Sequence, residues 1–108
     1  MKKQPWRPAD ATKSINTLAK DDACDVHWTK HARDRLNERG LIIGDALQVL
    51  RRGFVYDDAE KATRSGLYKY RITGKTPNSQ NREVTVIAIP DPHGCQIKIV
   101  TVMWKDEC

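Results

Sequence analysis

The apolar spacing of this chain changes once, at Gly53, and that change limits the fold more than any other feature. Before it, apolar residues recur three and four apart, as on one helical face. After it they come in short alternating or continuous runs, the pattern of strands. Helices followed by strands predict an α+β domain, with two or three N-terminal helices packed on one face of an antiparallel sheet of about four strands. A first helix is expected from Pro8, where proline suits the opening turn and Ile15, Leu18 and Ala19 share a face; Asp21-Asp22 end it. A second spans Thr29 to Arg39, with Thr29 as N-cap and Gly40 just past its end. Leu41-Ile42-Ile43 reads as a buried linker, and a third helix runs from Gly44 to Arg52, stopped by Gly53.

Strands are expected at Phe54–Tyr56, Leu67–Thr73, Glu83–Ile89 and Ile97–Trp104. The last two are apolar on both faces and therefore central, joined by the turn signal Asp91-Pro92-His93-Gly94. Gly74 to Arg82, with a proline, a serine and two asparagines, reads as a mobile loop, and Met1 to Arg7 as a frayed arm. The 108 residues suffice for one modest core. The division expected is an arm and extra helix over 1–25 and an α+β domain over 26–108. No apolar run is long enough to span a membrane, and none follows the basic start as in a secretory signal, so no membrane partner is expected. Cys24, Cys95 and Cys108 are odd in number and widely spaced, which predicts no disulfide framework and a reducing cytoplasm.

A net charge of +5 suits a polyanionic partner, most often nucleic acid. From Trp28 to Gly53 the cations are Lys30, Arg33, Arg35, Arg39, Arg51 and Arg52, against Asp34, Glu38 and Asp45. On a helical wheel Trp28, Ala32 and Leu36 share the apolar face, with Arg39 among them. Arg39 is therefore expected to hold a carboxylate or carbonyls of the chain, a structural role. His31 and Arg35, one turn apart, sit at the edge of that face, where they could reach a cleft or simply cover the core. Strand alternation puts Tyr68 and Tyr70 on one face of Leu67–Thr73 and Lys69 and Arg71 on the other. Tyrosine can stack on an unpaired base and arginine can grip a phosphate, although a strand with one packed and one wet face would look the same. Cys24, His27, His31, His93 and Cys95 have ligand-like spacing, but they lack a Cys-x-x-Cys pair and straddle a helix start, so no metal and no other cofactor is expected.

The stretch His31-Ala32-x-x-Arg35-Leu36-x-Glu38-Arg39-Gly40, followed by a short helix and a few strands, resembles a small bacterial domain of unknown function. That domain is grouped with the RelE-like toxins, which include barnase-like and colicin-like ribonucleases. The resemblance covers about Val26 to Lys105 and implies a curved antiparallel sheet. It also implies metal-independent cleavage of single-stranded RNA through a 2′,3′-cyclic phosphate, by the toxin of a toxin–antitoxin pair whose partner would be an antitoxin protein. On this reading His31, Arg35, Tyr70 and Arg71 form the catalytic set: a histidine acid or base, arginines on the phosphate, and a tyrosine that stacks or donates a proton. Lys30, Arg33, Arg51, Arg52, Tyr68 and Lys69 would bind RNA. The alternative is a nucleic-acid-binding or protein-inhibiting module of a mobile element, without catalysis.

Overall fold

A computed structural model describes residues 1–107 of the chain. Helix α1 (Pro8–Lys20) starts with its proline in the first turn and buries Ala11, Ile15, Leu18 and Ala19. Helix α2 (Lys30–Glu38) begins at Thr29, whose hydroxyl accepts from the Ala32 N–H at 3.0 Å and donates to the Val100 carbonyl at 2.8 Å. Its end is a glycine stop. Gly40 has φ +64°, which L side chains rarely adopt, and the Leu41 N–H returns to the Leu36 carbonyl. Helix α3 (Ile43–Arg52) closes at Gly53, where a Cβ would stand 2.5 Å from the Val49 carbonyl oxygen and 2.8 Å from that of Thr73. Only glycine allows α3 to meet the sheet this closely.

The strands are β1 (Asp25–Trp28), β2 (Phe54–Val55), β3 (Glu60–Lys61), β4 (Tyr68–Gly74), β5 (Val84–Asp91) and β6 (Gln96–Trp104). They form one mixed sheet of order β1-β6-β5-β4-β2, with β3 also on β4. The α+β class stands as expected, but the sheet has six strands rather than about four, and it is not wholly antiparallel. The four-residue β1 pairs in parallel with β6, Val26 beside Ile97 and Trp28 beside Ile99. Its exposed and half-buried residues alternate over too few positions to mark a strand in the sequence.

All three helices join one core with Tyr70, Ile72, Val84, Val86, Ala88, Ile97, Ile99 and Val102. Residues 1–25 contribute Trp6, Ala11, Ile15, Leu18 and Ala19 to that core. The expected frayed arm is instead docked. Trp6 is buried and stacks on Tyr70 with ring centroids 5.4 Å apart; its backbone N–H donates to the Tyr70 hydroxyl at 2.9 Å. That hydroxyl donates in turn to Gln4 Oε1, and the Gln4 amide donates to the Pro90 carbonyl.

Three further expectations need correction. In the linker only Leu41 is buried; Ile42 and Ile43 are exposed at the start of α3, because the chain has already turned outward at Gly40. The Gly74–Arg82 segment contains a short 3₁₀ turn (Pro77–Ser79) with buried Thr76 and Ser79. It is pinned to α3 by Asp45, which accepts from the Thr76 hydroxyl at 2.8 Å, the Asn78 amide at 3.0 Å and the Ile42 N–H at 2.9 Å. Burial pushes the Asp45 carboxyl up, but these three donors outweigh it and hold the group below its ordinary value. Finally, Cys24 and Cys95 form a disulfide, which joins the turn before β1 to the β5–β6 hairpin. The parallel pairing brings them together, since the Asp25 N–H already bonds the Cys95 carbonyl. Cys108 lies outside the described residues.

Candidate functional site: the open face of the sheet

Strand pairing decides which side chains leave the core. Tyr70 lies opposite Ala88, and Ala88 opposite Ile99, so these three face the helices. Their neighbours in sequence face the other way: Lys69 and Arg71 on β4, Ile87 and Ile89 on β5, Lys98 on β6. His27 of β1 lies beside Lys98. At Ile87/Ala88 the β5–β6 register shifts, Ile87 pairing with Thr101 and Ala88 with Ile99. Val100 is the extra residue of this bulge, and its carbonyl receives the Thr29 hydroxyl that starts α2. One bulge thus bends the floor of the open face and seats the helix beside it.

Cavities open on this face among the described residues. One, of about 320 Å³, has Ile87 and Val100 as floor, Lys69 and Arg71 on one side, and Asp57, Asp58 and Glu60 of the β2–β4 connection as wall. A second, of about 250 Å³, shares Arg71 and Asp57 and adds Tyr56, Lys105 and Glu107. There the Lys105 ammonium stands 5.1 Å from the Tyr56 ring centroid. A third, of about 350 Å³, runs from His27 and Lys98 over Ile89 to Arg64, Leu67, Asp91 and Gln96.

The structure separates the residues singled out in the sequence. Arg71, exposed, and Lys69, half-buried, are on the open face. Tyr70 is 1% exposed and points into the core behind the sheet. Burial holds its phenol above the ordinary value, against the opposing Trp6 N–H bond. It is therefore not placed to stack a base or to donate a proton at the surface. Tyr68 is half-buried against the same core. His31 is exposed in the first turn of α2, two residues beyond the Thr29 that binds Val100. Arg35 pairs with Glu38. Lys30 and Arg33 are exposed on α2, and Arg52 on α3. Arg51, also exposed, donates from Nε to the Ala19 carbonyl at the end of α1 at 3.1 Å.

Arg39 ends α2 and grips both carboxylate oxygens of Glu107 with Nε and Nη2. The partner is a carboxylate, reached from beyond β6, and the pair is half-buried, with side chains 19% and 27% exposed. The bonds from Arg39 lower the Glu107 pKa from 4.5 to about 2, against burial and with help from the Trp104 N–H. Glu107 also lines the cavity that holds Arg71, so the end of α2 is tied to the rim of the open face.

Lys98, Arg64, Asp91 and Gln96 escaped the reading of the sequence as site residues, and His27 was weighed there only as a metal ligand. Lys98 did leave a signal: it is the one charged residue within a mostly apolar central strand. Among the described residues, Asp21, Cys24 and Cys95 are a group of ligand-type side chains within 4.8 Å, but the two sulfurs are bonded to each other and so cannot act as thiolates. No helix among the described residues is long and apolar enough to cross a membrane.

No curated protein and no solved structure matches the chain. Residues 28–104 match the family described as "Domain of unknown function (DUF4258)". This span runs from the last residue of β1 to the last residue of β6, and so takes in α2, α3 and most of the open face. The chain is a member of that family, DUF4258.

Proposed function

We propose that the chain is a metal-independent endoribonuclease of RelE-like type. It binds single-stranded RNA across the open face of its sheet and acts as the toxin of a toxin–antitoxin pair. One observation carries the reading: Arg71 and Lys69 stand over an apolar floor of Ile87 and Val100, on the sheet face opposite the helices. Flat bases rest on apolar surface while cations meet the backbone, and the guanidinium can fork onto a phosphate in a way lysine cannot. Cleavage needs a base to take the 2′-hydroxyl proton as O2′ attacks phosphorus. It needs an acid to protonate the departing O5′, leaving a 2′,3′-cyclic phosphate. Asp57, Asp58 and Glu60 share the Arg71 cavity and supply the base. His31, exposed in the first turn of α2 two residues beyond the Thr29 that bonds Val100, supplies the acid.

A second reading, RNA binding without cleavage, has its own support. β1 and β4 are three strands apart, about 14 Å, so His27 and Arg71 serve neighbouring nucleotides better than one phosphate. Labelled single-stranded RNA, followed by anisotropy and by gel, separates the two. The nuclease reading expects a cyclic-phosphate product that persists in EDTA and falls by ~10²-fold or more in Arg71→Ala with the fold intact. Binding that weakens with salt but yields no product favours the binding module. RNA neither bound nor cut overturns both.

A further inference from the structure

The third cavity is built differently from its neighbours. Its floor is Ile89, flanked by Leu67 from the loop before β4, and at its end Asp91 and Gln96 face each other as a directly paired couple of β5 and β6. Asp91 is only 8% exposed. Its Oδ1 accepts from the Gly94 N–H at 3.2 Å, and its Oδ2 from the Gln96 amide at 3.4 Å and Arg64 at 3.5 Å. These bonds are long, and a carboxylate has about four acceptor positions, so Asp91 retains capacity for a ligand that brings N–H groups. Beside it stand donors: the Gln96 amide and the Lys98 ammonium. The cavity thus offers an apolar slot ending in an acceptor next to donors.

We infer that this cavity receives one base of the bound RNA and selects guanine. The inference rests on the RNA reading above and goes further by assigning a specificity pocket. Guanine presents an acceptor oxygen followed by two adjacent N–H donors on its pairing edge. Adenine and cytosine offer one amino group beside a ring acceptor, and uracil offers one N–H between two carbonyls. An acceptor-only carboxylate takes both guanine donors, while Gln96 or Lys98 meets the oxygen; for the other bases Asp91 would face a ring acceptor or a carbonyl. The position also fits a continuous strand. Ile89 floors this cavity and Ile87 the Arg71 cavity, two residues apart on one face of β5, about 7 Å. A base in one cavity and its adjoining phosphate at the other need no break in the RNA.

The test titrates the full chain with guanosine, inosine, adenosine, cytidine and uridine monophosphates, alongside a mixed-sequence single-stranded RNA. Guanosine monophosphate should bind about tenfold or more tightly than the adenosine, cytidine and uridine forms. Inosine monophosphate, which lacks the amino group, should fall between. Asp91→Asn should erase the preference yet still bind the mixed RNA through Arg71. The ligand series on the unaltered chain keeps the proposal testable even if that variant folds poorly. Equal affinity for all five nucleotides with the mixed RNA still bound overturns the pocket and leaves the RNA reading standing. Failure to bind any RNA overturns that reading, and the pocket with it.

Discussion

Single residues in this chain divide between scaffold and surface in ways their types do not announce. Tyr70 has the chemistry of a site residue, yet its hydroxyl is spent on the Trp6 N–H and on Gln4. Tyr70→Phe strands that buried N–H, and the variant should lose about 1–3 kcal/mol in denaturant melts while binding RNA like the parent. A variant that melts normally but no longer binds would return Tyr70 to the site. Arg39 and Glu107 give a pH signature. Because the Glu107 pKa is depressed from 4.5 to about 2 in the folded state, its contribution is complete above 4.5 and is lost as pH falls toward 2. At neutral pH, Glu107→Gln and Arg39→Ala should each cost about 1 kcal/mol, a modest figure because the pair is partly in water. The gap in melting temperature between the parent and Glu107→Gln should close between pH 4.5 and 2. A gap that stays constant across that range would mean that the pair contributes through packing and not charge.

At the scale of elements, the legible parts were those whose signals are local. Thr29 and Gly40 mark α2 because a cap and a glycine stop each act within a turn. The strong strands β5 and β6 are legible for the same reason, as continuous apolar runs. What stayed hidden depends on partners far away in sequence. β1 becomes a strand only because β6 is there to pair with it. Which face of β4 stays open could be decided only once the helices had taken the other; the alternation of Tyr70 and Arg71 was visible, but not which side was wet. His27 and Lys98 become neighbours through that same parallel register. The 74–82 segment has loop composition, and its order comes from Asp45, about thirty residues earlier. Asp45→Ala should free it. The variant should lose about 2–3 kcal/mol, and amides from Lys75 to Arg82 should exchange faster than in the parent. Unchanged exchange there would show that Thr76 and Ser79 hold the turn by themselves.

For the whole molecule, the Cys24–Cys95 bond spans 71 residues and encloses α2, α3 and most of the sheet. Closing so long a loop restricts the unfolded chain strongly, a contribution of about 4 kcal/mol in the chain-entropy account. Melts with and without reductant, and of Cys24→Ser, should show a lower midpoint once the bond is absent, with RNA binding retained below it. An identical midpoint would mean that β1 is held by its ladder with β6 alone.

That ladder has a consequence for how the molecule comes into being. β6 is synthesised after every other strand, yet it lies between β1 and β5 and carries Lys98 and the Val100 bulge on which α2 is seated. While the ribosome is still extending the chain toward residue 96, β1 has nothing to pair with, and the open face lacks Lys98 and the Val100 part of its floor. The open face is therefore assembled last, in one late step that joins distant segments and is slow for that reason. On the RNA reading proposed above, a nascent chain of this kind passes through translation with no finished surface to turn on the RNA around it.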